Sequence, residues 1–139
     1  MYVVVVKGDV TKCDDDGTSP IYMAAQEGHA SIIQQLVSCK GDVTKCMNNG
    51  TSPIYMAACN GHASVIQQLV SCKGDVTKCK NNCVSPIYIA AQNGHAPCIS
   101  QLLASRADPR SSWNGTSALE KARAQGHAEC VRVLEAALQ

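Results

Sequence analysis

Cysteine and histidine are the side chains of this sequence with the most chemistry to offer, and the chain carries nine of the first and four of the second. Either type can ligate zinc, and a cysteine beside a histidine can serve as a nucleophile. Their spacing argues against both uses. Cys13, Cys46 and Cys79 fall 33 residues apart, as do Cys39 and Cys72, and as do His29, His62 and His95. Residues that recur at a fixed interval occupy equivalent places in successive units. Units stacked at helix-packing distance lie roughly 10 Å apart, whereas zinc holds its ligands within about 2.3 Å. Such a ladder cannot share one ion, and the chain has no Cys-x2-Cys pair. No unit owns a cysteine, a base and an orienting group that the others lack, which a nucleophilic site would need. No metal, no cofactor and no catalytic residue is therefore expected.

The elements that would position these residues follow from the same period. Thr51-Ser-Pro-Ile-Tyr-Met-Ala-Ala-Cys-Asn-Gly-His62 has a near copy at Thr18–His29, another at Val84–His95 and a weaker one at Thr116–His127. Ser19-Pro20, Ser52-Pro53 and Ser85-Pro86 each read as a serine N-cap with proline at the first helical position. A short helix follows, Ile21 to Glu27 in the first copy, and Gly28 stops it. A second helix, about Ala30 to Ser38, places Ile32, Ile33, Leu36 and Val37 on one face. Before each of the first three pairs, Gly-Asp-Val-Thr-Lys-Cys leads into a tip such as Asp15-Asp16-Gly17 or Asn48-Asn49-Gly50, residues that tolerate the positive φ of a turn; the fourth approach, Ala107-Asp108-Pro109-Arg110, has lost one residue before Gly115. Neither helix is long enough to stand alone, so each must be packed against a neighbour.

Composition agrees with a folded module. Hydrophobic residues make up 45% of the 139, charged ones 17%, and the net charge is +1, which gives no reason to expect nucleic acid or an anionic membrane as partner. No apolar run approaches the roughly 20 residues of a membrane helix. An odd number of cysteines in register with the repeat reads as free thiols in a reducing compartment, hence an intracellular, cytoplasmic protein with the nucleus left open. Cys79 and Cys83 flank one tip, and their pairing is left open.

The pattern resembles the ankyrin repeat family, whose unit is a hairpin followed by two antiparallel helices. Ser-Pro-Ile-Tyr stands three times where the family has Thr-Pro-Leu-His, Gly-His stands four times, and Gly-Asp-Val replaces the common Ala-Asp-Val. The resemblance implies an all-α solenoid of helix-turn-helix units joined by hairpin loops, one domain over 1–139. Its repeats would be 8–40, 41–73, 74–106 and 107–139, preceded by a stub at 1–7. The fourth is the most polar, with Lys121, Arg123, Glu129, Arg132 and Glu135, as the last unit of a stack should be. Two departures stand out: Tyr22, Tyr55 and Tyr88 replace a histidine, and Cys83 replaces the tip glycine, where a side chain is strained if φ is positive.

What the resemblance implies about function is non-enzymatic binding of another protein or peptide through the hairpin tips and the concave side of the first helices. The residues this assigns are Asp15, Asp16, Thr18, Gln26, Glu27, Asn48, Asn49, Thr51, Cys59, Asn60, Asn81, Asn82, Val84, Gln92, Asn93, Trp113 and Asn114. The chain's own contents point to the same surface. Units 8–40 and 41–73 differ at six positions, and five of them, Asp14/Met47, Asp15/Asn48, Asp16/Asn49, Gln26/Cys59 and Glu27/Asn60, fall at the tip or the first-helix end. Exposed, Tyr22, Tyr55 and Tyr88 would be aromatic contacts for that partner; buried, they would tie neighbouring units together. Acidic residues at the first tip and Lys80, Arg106 and Arg110 further along would orient a partner whose basic side faces the N-terminal end. An alternative role is a structural segment of a longer array, self-associating through an uncapped N-terminal face that begins at Val3–Val6.

Overall fold

The computed structural model describes residues 17–39, 41–43, 46–74 and 84–139. Asp14, Asp15, Asp16, Lys80, Asn81, Asn82, Cys79, Cys83 and the Val3–Val6 run, all singled out above, lie outside them. Within the described residues are four helix pairs: α1 (Pro20–Glu27) with α2 (Ala30–Ser38), α3 (Pro53–Asn60) with α4 (Ala63–Ser71), α5 (Pro86–Asn93) with α6 (Ala96–Ala104), and α7 (Ala118–Ala124) with α8 (Ala128–Ala137). A two-stranded hairpin, β1 (Ser112–Trp113) and β2 (Thr116–Ser117), precedes the last pair. The first helices form one layer, each packed on the next, and the second helices form another. The molecule is an all-α solenoid.

Local chemistry sets the helix ends. Ser19, Ser52 and Ser85 cap α1, α3 and α5, their Oγ atoms accepting from the N–H groups of Tyr22, Tyr55 and Tyr88 at 3.1, 3.0 and 3.2 Å. Ser117 and Glu120 make the reciprocal capping box on α7, which satisfies two backbone donors together. The second helices α4 and α6 end in a Schellman turn. In α4 the Gly74 N–H bonds the Leu69 carbonyl and the Lys73 N–H bonds that of Val70, and Lys73 takes a left-handed φ of 72°. Arg106 repeats this with a φ of 71°. A side chain in that region is disfavoured where glycine is not, so Lys73→Gly is expected to raise stability by about 0.5–1 kcal/mol. Urea denaturation would measure the gain, and an unchanged midpoint would refute it.

The two hairpin tips that lie wholly among the described residues differ in length. At Met47–Thr51 the Gly50 N–H closes a turn onto the Met47 carbonyl, and Gly50 follows in the left-handed region at φ 83°. The last hairpin has one residue fewer. Asn114 and Gly115 both take positive φ, 54° and 81°, the Asn-Gly signature of the tightest two-residue connection.

The core is one row of small and branched apolar groups running through all four pairs. Ala25, Ala57, Ala58, Ala90, Ala91 and Ala122 are fully buried, as are Ile33, Ile66, Leu69, Ile99, Leu102 and Leu134. Alanine pairs let the first helices approach closely, while the branched residues of the second helices fill the space between layers.

Candidate functional site

Each joint between helix pairs is locked by the Gly-His step. The His62 Nε2 lies 3.0 Å from the Gln26 carbonyl oxygen of the preceding pair. His95 meets the Cys59 carbonyl at 3.1 Å and His127 the Gln92 carbonyl at 3.1 Å. A carbonyl only accepts, so Nε2 carries the proton in all three. The ring also rests on the preceding unit's glycine. A Cβ on Gly28, Gly61 or Gly94 would stand 2.8, 2.7 and 2.7 Å from the Nδ1 of His62, His95 and His127. Glycine is thus required twice there, by a φ of 82–83° and by the imidazole above it. The histidines bond backbone, as a residue at an inter-helix turn ordinarily does, but the carbonyl belongs to the neighbouring unit.

The first-helix ends are built around that lock. Asn60 and Asn93, both exposed, turn their side-chain amides onto the Gln26 and Cys59 carbonyls at 3.2 and 3.0 Å. Gln26, Cys59 and Gln92 are half-buried beside them, and Glu27 is exposed. These six residues, Gln26, Glu27, Cys59, Asn60, Gln92 and Asn93, are brought together as one row along the ends of α1, α3 and α5. Asn48, Asn49 and Asn114 are exposed at the tips, and Thr18 is half-buried. The Asn49 Oδ1 accepts from both the N–H and the hydroxyl of Thr51, at 3.0 and 2.6 Å.

Burial removes two expected contact residues and decides between the two readings of the tyrosines. Thr51 is 2% exposed, turned inward by its bonds to Asn49, and Val84 at the same register is 6% exposed. Neither offers side-chain surface to a partner. The tyrosine ladder is interior: Tyr22, Tyr55 and Tyr88 are all buried in the unit-to-unit packing and are not aromatic contacts. Burial holds all three phenols above their usual range; the Cys59 thiol adds to the rise at Tyr22 and Tyr55, and Tyr55 adds to that at Tyr22. Trp113 packs edge-on against Tyr88, ring centres 6.0 Å apart, and keeps part of its indole exposed.

Met23 was not among the expected contacts. It is the one large apolar side chain exposed among the described residues, at 46%, although Met56 and Ile89 at the same register are half-buried and buried. Its register in the repeat was the available signal, but register alone gives the residue type and not its cover.

The described cysteines form no disulfide and range from exposed to fully buried. Cys39 is exposed, whereas Cys98 and Cys130 are fully buried. Burial, then the neighbouring Cys130, pushes the Cys98 thiol up to about 11; burial, then Glu129, raises Cys130. A disulfide reagent at pH 8 is expected to modify Cys39 at least about a hundredfold faster than Cys98 or Cys130, because the thiolate is the reacting form. Peptide mapping by mass spectrometry would read this, and equal rates in the native protein would refute it. Among the described residues no cluster of three or more His, Cys, Asp or Glu side chains is placed to hold a metal ion, and no helix is long and apolar enough to cross a membrane.

Curated proteins offer no match to the chain. The family model for ankyrin repeats, three copies, matches residues 2–80 and again 59–137, and with the Gly-His locks and the helix pairs this establishes that the chain belongs to the ankyrin repeat family.

Proposed function

We propose that the chain is a recruitment or scaffold module that grips a partner protein along the row of first-helix ends and hairpin tips. Ankyrin repeats are in general protein-interaction modules. The observation that carries the reading here is a division of labour within each unit. The backbone carbonyls of Gln26, Cys59 and Gln92 serve the joints, while the side chains of the same positions and of Glu27 reach the surface. Among the described positions that differ between units 8–40 and 41–73, Gln26/Cys59 and Glu27/Asn60 lie where another molecule can meet them. Unit boundaries at 8–40, 41–73, 74–106 and 107–139 put one such group on each of the first three repeats. Cysteines outside disulfides suit a reducing, intracellular setting.

Binding would be measured with a partner captured by the intact chain. A variant carrying Glu27→Lys, Cys59→Arg and Gln92→Lys is expected to weaken that complex at least about tenfold, with helical content and melting temperature close to the parent. A control with Gln34→Ala and Gln35→Ala on the exposed side of α2 is expected to bind as the parent does. Equal binding by both variants would overturn the assignment of the surface.

A second reading, a segment of a longer array that self-associates through its N-terminal face, draws on the exposure of Met23 there. Sedimentation of the intact chain that stays monomeric at high concentration would remove it.

A further inference from the structure

An asparagine followed by glycine can lose its side-chain amide to the next backbone nitrogen, because glycine sets no Cβ in the way of the attack. The chain contains this step four times, at Asn49-Gly50, Asn60-Gly61, Asn93-Gly94 and Asn114-Gly115. All four asparagines are exposed, so exposure does not rank them. What ranks them is how firmly the attacking nitrogen and the side-chain amide are held.

Two of the steps close first helices. The Gly61 N–H bonds the Ala57 carbonyl, and the Gly94 N–H bonds that of Ala90. The Asn60 and Asn93 amides are tied down as well, on the Gln26 and Cys59 carbonyls at 3.2 and 3.0 Å. Attack there requires a helix end to open at a joint that His62 or His95 also fastens. At the second tip the Gly50 N–H bonds the Met47 carbonyl at 2.9 Å, and the Asn49 Oδ1 holds both donors of Thr51. Asn114 differs from all three. Among the described residues neither its side chain nor the Gly115 N–H makes a hydrogen bond. It stands at φ 54° in a connection between strands of two residues each, and so small a hairpin opens locally at little cost.

We propose that Asn114 is a self-modification site, where the Gly115 nitrogen converts a neutral amide at the last hairpin tip into a carboxylate. The nitrogen loses its proton and attacks the Asn114 Cγ. A C–N bond forms, the Cγ–Nδ2 bond breaks, and ammonia leaves with the proton, so that a cyclic imide remains. Water then opens the ring. Cleavage between the nitrogen and Cγ gives aspartate; cleavage between the nitrogen and the backbone carbonyl carbon gives isoaspartate, whose main chain runs through the former side chain. Nothing is oxidised or reduced. Either product adds a negative charge beside Trp113, and isoaspartate adds a carbon to the backbone where Trp113 pairs with Thr116. A two-residue connection has no slack for it, so that product loosens the hairpin and the packing of Trp113 on Tyr88. The change stands whatever the concave row binds.

The test holds the intact chain in mildly alkaline buffer and follows each step over time by peptide mapping with mass spectrometry. Every hydrogen bond that must open before attack slows it several-fold, and two slow it at least about tenfold. Asn114 is therefore expected to convert at least about tenfold faster than Asn49, Asn60 or Asn93, to a mixture that contains isoaspartate. In urea, with the folded contacts gone, the four rates should converge to within about threefold. The emission of Trp113, the single tryptophan, should shift toward that of exposed indole in step with the isoaspartate, and stay constant in Asn114→Gln. Comparable native rates at all four steps overturn the proposal. So does a native ranking that persists unchanged in urea, since flanking sequence then sets it. Aspartate formed without isoaspartate marks direct hydrolysis of the amide and overturns the cyclic route, and the same drift in emission from Asn114→Gln overturns the loosening of the hairpin.

Discussion

Gly61→Ala is expected to lower the unfolding free energy by about 3 kcal/mol and the melting temperature by roughly 10 °C. Two effects add. Alanine in the left-handed region costs about 1–2 kcal/mol relative to glycine, and Gly61 has a φ of 82°. Its new Cβ would also lie 2.7 Å from the His95 Nδ1, so the ring must tilt and strain its 3.1 Å bond to the Cys59 carbonyl. Leaving that N–H and carbonyl poorly paired in a half-buried joint costs about another 1–2 kcal/mol. Gly126→Ala separates the two terms. It shares the left-handed backbone at φ 76° but has nothing near its Cβ direction, and should lose only the first term. Thermal melts of both variants decide the matter: equal losses would mean that the histidine lock contributes nothing.

Leu69→Ala is expected to cost about 3–4 kcal/mol, within the usual span for a leucine emptied from a packed core. Leu69 is fully buried in α4, which lies between α2 and α6. In a stack whose units touch only their neighbours, such a loss falls on the interfaces at both sides. Hydrogen exchange should therefore report faster opening in α2, α4 and α6 with α8 least affected, and urea unfolding should become less cooperative. A uniform acceleration across all four pairs would argue that the chain behaves as one indivisible core.

Much of the scaffold was legible because its signals are local. Serine followed by proline fixes a helix start within two residues, and Gly-His fixes its stop; the helices begin and end where those steps place them. The lost residue before Gly115 was visible as a gap in the register and emerges as a tighter hairpin. The candidate surface was less legible, for a physical reason. A tyrosine at the third position of a short helix suits an interface or an interior equally well, and only the neighbouring unit decides; all three proved interior. Thr51 looks polar in sequence, but its hydroxyl is consumed by Asn49 two residues away. The reach of His62 to Gln26 spans 36 residues, so no single unit displays it. Met23 and Ile89 share a register and differ in exposure because of what lies beside them, which a repeat pattern does not encode.

The shortened fourth hairpin has a consequence for how such a chain can change. His127 stands 32 residues after His95 instead of 33, yet its bond to the Gln92 carbonyl has the same 3.1 Å length as that of His95 to Cys59. An insertion or deletion at the tip is absorbed before the lock begins, so loop length can drift without a mechanical penalty at the fastening. Selection can accordingly rewrite what the protein recognises while leaving what holds it together untouched, and whole units can be copied or removed as interchangeable links.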